Sequence, residues 1–285
     1  MDQRIINLFD EYTHRPLTRK EFLDRLMVLA GSAALATTAL SLLEPGYARA
    51  ATVAPLADDL LEETVTWPGD GATVSGYLVR PKGRKKHGAV VVIHENRGLT
   101  PHIRDVTRRV ARAGYLALGV DALSVLGGTP ADEDKGRELI GQLDATKNLN
   151  NYLAALTYLR ARPESNGRTG CVGFCWGGGL ANQLAVHDPR LNAAVAYYGR
   201  QPEAAEVPQI KAALMLHYAG LDERIDAGIP AYETALKAAR IPYELFVYEG
   251  VNHAFNNDTS PARYNAEAAK LAWERTLRLF KEKLG

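Results

Sequence analysis

Cys175 sits in the run Gly173-Phe174-Cys175-Trp176-Gly177, with a glycine two residues away on each side. A short run of small and β-branched residues (168–172) leads in, and a helix is predicted over 180–187. A nucleophile set in a tight strand-to-helix turn needs small neighbours for the chain to pass. Its thiol then projects above the sheet edge, and the N–H of the next residue, Trp176, faces the same space as an oxyanion donor. A thiol becomes a strong nucleophile only as the thiolate, so a base is required. His253 follows the predicted strand 244–248, and Asp222 follows the strand 212–218. The chain order is therefore nucleophile, acid, base, at spacings of 47 and 31 residues. In that arrangement Asp222 would orient His253 and stabilise its imidazolium. Glu223 and Asp226 are alternatives for the acid. His94, His102, His187 and His217 occupy strand or helix positions where packing or exposure accounts for them.

These residues need a scaffold that brings strand ends together. After the alternating strands 63–67 and 73–79 around Gly69-Asp70-Gly71, the run 89–93 is continuously apolar, as in a strand buried on both faces. Helices are predicted over 101–113, 132–143, 147–160, 229–239 and 261–283, interleaved with strands 115–120, 191–198, 212–218 and 244–248. Such alternation implies an α/β fold with a mostly parallel central sheet and helices on both faces. In such sheets, chemistry gathers beyond the carboxyl ends of the strands, where Cys175, Asp222 and His253 all fall.

A chain of 285 residues with 46% hydrophobic content can bury a full core in one catalytic domain, assigned to 61–285. Thirty-four basic against 33 acidic residues leave a net charge of +1, without the electrostatic footprint of a nucleic-acid binder. The two cysteines, Cys171 and Cys175, lie four residues apart on an extended strand and its turn, a poor geometry for a disulfide. No Cys/His cluster has zinc-ligand spacing, and the glycines at 173–179 lack the ribose-binding acid of a nucleotide fingerprint, so neither metal nor cofactor is expected.

Residues 1–50 differ in character. A polar stretch ending in Thr18-Arg19-Lys20-Glu21-Phe22-Leu23 precedes an Ala/Thr-rich apolar run (26–43) and then Ala48-Arg49-Ala50, a small-x-small sequence. The pattern is similar to a twin-arginine export leader with Lys20 in place of the second arginine, which would imply a periplasmic protein. The other reading is an uncleaved helical extension of a cytoplasmic protein, packed on its own domain or on a partner chain; the chain would then be a monomer or a homodimer. Residues 51–60 read as a linker.

The elbow, together with Ile93-His94-Glu95, Asp222 and Asn252-His253-Ala254-Phe255, resembles the dienelactone hydrolase (carboxymethylenebutenolidase) family of α/β-hydrolases over about residues 60–283. The resemblance implies hydrolysis of a small ester or lactone through a thioester on Cys175. In this fold the loop after the first buried strand supplies a second oxyanion N–H, here that of Asn96. The family likeness gives Glu95 a thiol-gating role: it holds the resting thiol and moves away when substrate arrives. Family members that open dienelactones hold the substrate carboxylate with arginines, but residues 122–125 and 254–257 contain none. Arg200 and Arg97 are the cations left to face the site, with Tyr198 and Phe255 as further candidate substrate contacts.

Overall fold

The computed structural model describes residues 1–14, 17–44, 59–83 and 85–285. Eight strands form one sheet in the order β1-β2-β4-β3-β5-β6-β7-β8. They are β1 (Leu60–Pro68), β2 (Thr73–Pro81), β3 (His87–Ile93), β4 (Leu116–Asp121), β5 (Ser165–Phe174), β6 (Ala193–Tyr197), β7 (Ala213–Ala219) and β8 (Tyr243–Tyr248). β2 runs antiparallel to both β1 and β4, and every other pair is parallel.

Successive side chains of β3 enter opposite cores, which is why its sequence is apolar throughout rather than alternating. Ala89, Val91 and Ile93 pack under α6 (Ala145–Ala161) and α7 (Trp176–His187), in a core that extends to α9 (Ile229–Ala238). Val90 and Val92 pack under α4 (Pro101–Arg112) and α10 (Ala266–Leu284). Each fully buried valine or leucine contributes about 1.5–3 kcal/mol, so the sheet centre is the stable platform. The parallel strands β3 and β5–β8 all point their carboxyl ends at one edge.

Two helix starts differ from expectation. α7 begins at Trp176, directly after Cys175, rather than at residue 180. The glycines that argue against helix there are required by close approach: a Cβ on Gly177 would lie 2.4 Å from the carbonyl oxygen of His94, and one on Gly178 would lie 2.6 Å from that of Tyr197. α10 begins at Ala266 rather than 261. The Asn, Asp, Thr and Ser residues of 256–260 favour turns over helix, the Asn257 carboxamide binding the N–H and hydroxyl of Thr259, and Asn265 caps the helix.

The N-terminal stretch is α1 (Gln3–His14), α2 (Arg19–Ala30) and α3 (Ala33–Leu43). The apolar run is not one helix: Gly31 adopts φ 79° and Ser32 caps α3. No single described helix is long and apolar enough to cross a membrane, and α2 with α3 would qualify only as a pair bent by 114°. Phe9, Tyr12, Phe22, Leu26 and Leu43 form a core of their own, extended by Ala262 of the catalytic domain. Ala48-Arg49-Ala50 and the linker up to 58 lie outside the described residues.

Candidate active site

β5 delivers Cys175 at φ 56° and ψ −115°, a conformation an L-residue rarely adopts. The turn is enforced from both sides. The Cys175 N–H donates to the Tyr197 carbonyl at 3.0 Å, and a Cβ on Gly173 would come within 1.9 Å of the Gly177 oxygen. Trp176 opens α7, so its N–H has no partner within that helix. The Trp176 ring stacks on His94 at 5.2 Å and 10°, and His94 in turn accepts from the Ala122 N–H, so its ring is structural.

Asp222 and His253 come together at the ends of β7 and β8. Nδ1–H of His253 donates to Asp222 Oδ2 at 2.5 Å, and both side chains are buried. The other Asp222 oxygen accepts from the Ile225 N–H at 3.3 Å. Because Nδ1 faces a carboxylate, Nε2 is the nitrogen left to exchange protons, and it has no hydrogen-bond partner among the described residues. Burial disfavours the imidazolium of His253, but Asp222, then Asp10 and the thiolate, outweigh it and hold its pKa well above the ordinary value.

The residue that sequence reasoning missed is His14, the last of α1. Its Nε2 lies 3.0 Å from Cys175 Sγ. Nδ1 faces the Asp10 carbonyl at 2.9 Å and the Asp10 carboxylate at 3.1 Å. The His14 ring meets that of His253 edge to face, 4.8 Å between centres. Burial pushes the Cys175 thiol up, but His14 and then His253 reverse this and bring it down to about 6. Burial pushes His14 down, and the thiolate and Asp10 carry it up to about 9. The signals in the sequence were an Asp/His pair at i, i+4 and the amphipathic run Ile5, Ile6, Phe9, Tyr12.

Glu95, expected on the thiol, is turned elsewhere: its carboxylate accepts from Asn257 Nδ2 at 2.9 Å. The side chain that meets the thiol is His14. The Asn96 side chain donates to the Thr13 carbonyl at 2.8 Å, tying its loop to α1.

A cleft of about 1110 Å³ opens beside the thiol, lined by Cys175, His253, His14, Trp176, Tyr198 and Arg200 among others. Two of the expected substrate contacts are not in it. Phe255 is fully buried beneath the site against Tyr197, Tyr198 and Tyr248. Arg97 is buried and paired with Glu133 at 2.5 Å, because the α5 helix (Glu133–Ile140) packs over it. Arg200 is exposed at the cleft, with no ion pair among the described residues. Two cations that sequence reasoning passed over also line the cleft, each facing a carboxylate: Arg137 at Asp134, and Arg224 between Asp10 and Asp222. Ligand atoms of His14, Cys175 and His253 lie within 4.8 Å of one another, the one group of metal-ligating type found among the described residues.

A buried thiol with two imidazoles and an adjoining cleft is suited to acyl transfer, and comparison with known proteins agrees. Residues 74–284 match the model of the dienelactone hydrolase family. A relative from Saccharolobus solfataricus named "Putative carboxymethylenebutenolidase" is 31% identical over 253 residues, covering 75% of this chain and 96% of its own. One of the same name from Escherichia coli K12 is 33% identical over 252 residues, covering 82% and 92%. A crystal structure from Klebsiella pneumoniae titled "Putative Dienelactone Hydrolase" superimposes with a TM-score of 0.71 at 29% identity, over 78% of this chain and 98% of that one. The chain belongs to the dienelactone hydrolase family and is a hydrolase of carboxylic ester bonds built on the α/β-hydrolase fold.

Proposed function

We propose that the protein hydrolyses small esters or lactones through a thioester on Cys175, with Asp222 and His253 completing a triad. The observation that carries this reading is the Asp222–His253 pair, whose unpartnered Nε2 lies beside the strained elbow thiol. Sγ forms a bond to the substrate carbonyl carbon while the C=O pair moves onto oxygen. The N–H groups of Trp176 and Asn96 stabilise that oxyanion, a device worth about 10²–10³-fold per donor. His253 Nε2 takes the proton that leaves the thiol; the carbon–oxygen bond to the leaving group then breaks and the alkoxide takes that proton from Nε2. Water then gives a proton to the same nitrogen, its oxygen bonds the acyl carbon, and the thiolate departs.

Neither metal nor organic cofactor enters these steps, so turnover should survive exhaustive chelation. Arg200 is positioned to favour substrates bearing a carboxylate. A redox role with Cys171 as resolving thiol is disfavoured by its surroundings: Cys171 is fully buried in the opposite core, and burial pushes its thiol pKa far up. Hydrolysis of p-nitrophenyl acetate tests the proposal. Cys175→Ala should lower kcat/KM by about 10³-fold or more, and undiminished turnover in that variant would overturn it.

A further inference from the structure

Resting on that reading, we infer that His14, carried into the active site by α1 and oriented by Asp10, is a second catalytic histidine that keeps Cys175 as a standing thiolate. Two His–Asp dyads thus converge on one sulfur, and their hydrogen bonding divides the work. Both nitrogens of His14 are committed, Nδ1 to Asp10 and Nε2 to Sγ. Both Asp10 atoms at Nδ1 are acceptors, and the Thr13 hydroxyl, 3.1 Å from Nδ1, has the Phe9 and Asp10 carbonyls to take its own hydrogen, so Nδ1 carries hydrogen and Nε2 is the atom that takes the thiol proton. His253 differs on both counts: its Nδ1 bonds the Asp222 carboxylate itself rather than a backbone carbonyl, and its Nε2 is open.

The thiol proton moves from Sγ to His14 Nε2 and stays there through the cycle; no bond to carbon is made or broken in that transfer. His253, which starts the cycle as an imidazolium held by the Asp222 carboxylate, then handles only the substrate's protons, giving one to the alkoxide and regaining one from water. When the thioester breaks, the electron pair of the C–S bond returns to sulfur beside the His14 imidazolium. A fixed cation at 3.0 Å therefore assists the thiolate both as nucleophile and as leaving group.

α1 is built to hold this position. Tyr12 Oη donates to Asp134 at 2.8 Å, the Asn96 carboxamide binds the Thr13 carbonyl, and Gln3 Nε2 donates to Asn252 Oδ1 at 2.5 Å. The Arg137 guanidinium bonds the Tyr12 carbonyl and lies 4.0 Å over its ring. Nor does α1 seal the site, since His14 and Thr13 form one wall of the cleft that Cys175 opens into. The charges around the pair come from every neighbouring segment: Asp10 on α1 itself, Asp222 and His253 at the strand ends, Arg224 beside both aspartates, and Glu95 with buried Arg263 across the loop.

The test is the rate of Cys175 alkylation by iodoacetamide against pH, in full-length protein, read by mass spectrometry of the Cys175 peptide. The wild-type rate should reach half its maximum near pH 6. In His14→Gln the midpoint should rise by one unit or more, making alkylation at pH 6 about fivefold slower or more. Asp10→Asn, which leaves the imidazole in place, should shift it the same way by less, and covers the case in which the His14 variant fails to fold. His253→Gln should keep a midpoint below the ordinary thiol range while losing ester turnover. In His14→Gln, kcat/KM for p-nitrophenyl acetate should fall at pH 6 and recover towards pH 9, where the thiol ionises unaided. Superimposable alkylation profiles for wild type, His14→Gln and Asp10→Asn would overturn the inference. So would faster alkylation of His14→Gln at neutral pH, which would make α1 a cover over the thiol. Absence of ester turnover in the wild type would instead remove the hydrolase mechanism, leaving the alkylation result to stand on its own.

Discussion

Glu95 and His14 offer two ways of controlling one sulfur, with opposite consequences. A carboxylate against the thiol raises its pKa by repulsion, whereas an imidazolium lowers it by attraction. Here the thiol faces His14 at 3.0 Å and the Glu95 carboxylate is bound by Asn257. Glu95→Gln should therefore keep the Asn257 contact through its amide oxygen and leave the alkylation midpoint of Cys175 within a few tenths of a unit of wild type. A midpoint falling by a full unit would restore the gate expected from the family likeness. The sign of the linkage also follows. The folded thiol ionises below its unfolded value, so its contribution to stability is complete above the unfolded pKa and is lost as pH falls through about 6. His14 titrates above its unfolded value, and its contribution is lost as pH rises through about 9. Wild type should exceed His14→Gln in thermal midpoint most clearly between those limits, and a gap that grows below pH 5 would contradict the ion pair.

At the scale of elements, the sequence made the strand ends legible because largely apolar strands such as β3, β4 and β6 alternate with helices, and the segments that follow the strands are polar or Gly-containing. Asp222 and His253 could be read from their places after strands, and Cys175 from the glycines of its turn. The start of α7 could not, since three consecutive glycines read as a loop until the approach of the His94 and Tyr197 carbonyls supplies their reason. Nor could the burial of Phe255 and Arg97, which depends on what packs above them. Gly173 is the sharpest element-level test. An added Cβ would meet backbone at 1.9 Å, which no side-chain rotation relieves, so the elbow itself must shift. Gly173→Ala should cost about 1–3 kcal/mol in urea unfolding. It should also lower ester turnover by about 10²-fold, the scale expected when a reacting atom is displaced by about 1 Å. Wild-type kinetics in this variant would mean that the elbow tolerates a geometry the coordinates exclude.

At the scale of the whole molecule, α1, α2 and α3 form a helical unit against the hydrolase domain, and its first helix ends at the nucleophile. The export leader and the uncleaved helical extension are both readings of local composition, which does not reveal that Phe9 and Tyr12 face inward or that His14 reaches a sulfur 161 positions away. Cleavage at Ala48-Arg49-Ala50 would separate α1 from the catalytic chain, so the active form should retain residues 1–14. Phe9 tests this without touching the site. It is 1% exposed, in edge contact with Phe22, and lies beneath the guanidinium of Arg263 at 5.0 Å. Phe9→Ala removes most of that contact, at about 3–5 kcal/mol for a buried aromatic, and should loosen α1 while every catalytic side chain remains. Three readings should move together: limited proteolysis within residues 1–44 should accelerate, the alkylation midpoint of Cys175 should rise towards that of His14→Gln, and ester turnover should decline near pH 6 but hold near pH 9. If proteolysis accelerates while the alkylation profile stays at its wild-type position, docking of α1 is independent of the thiol's ionisation, and the N-terminal helices serve the fold alone.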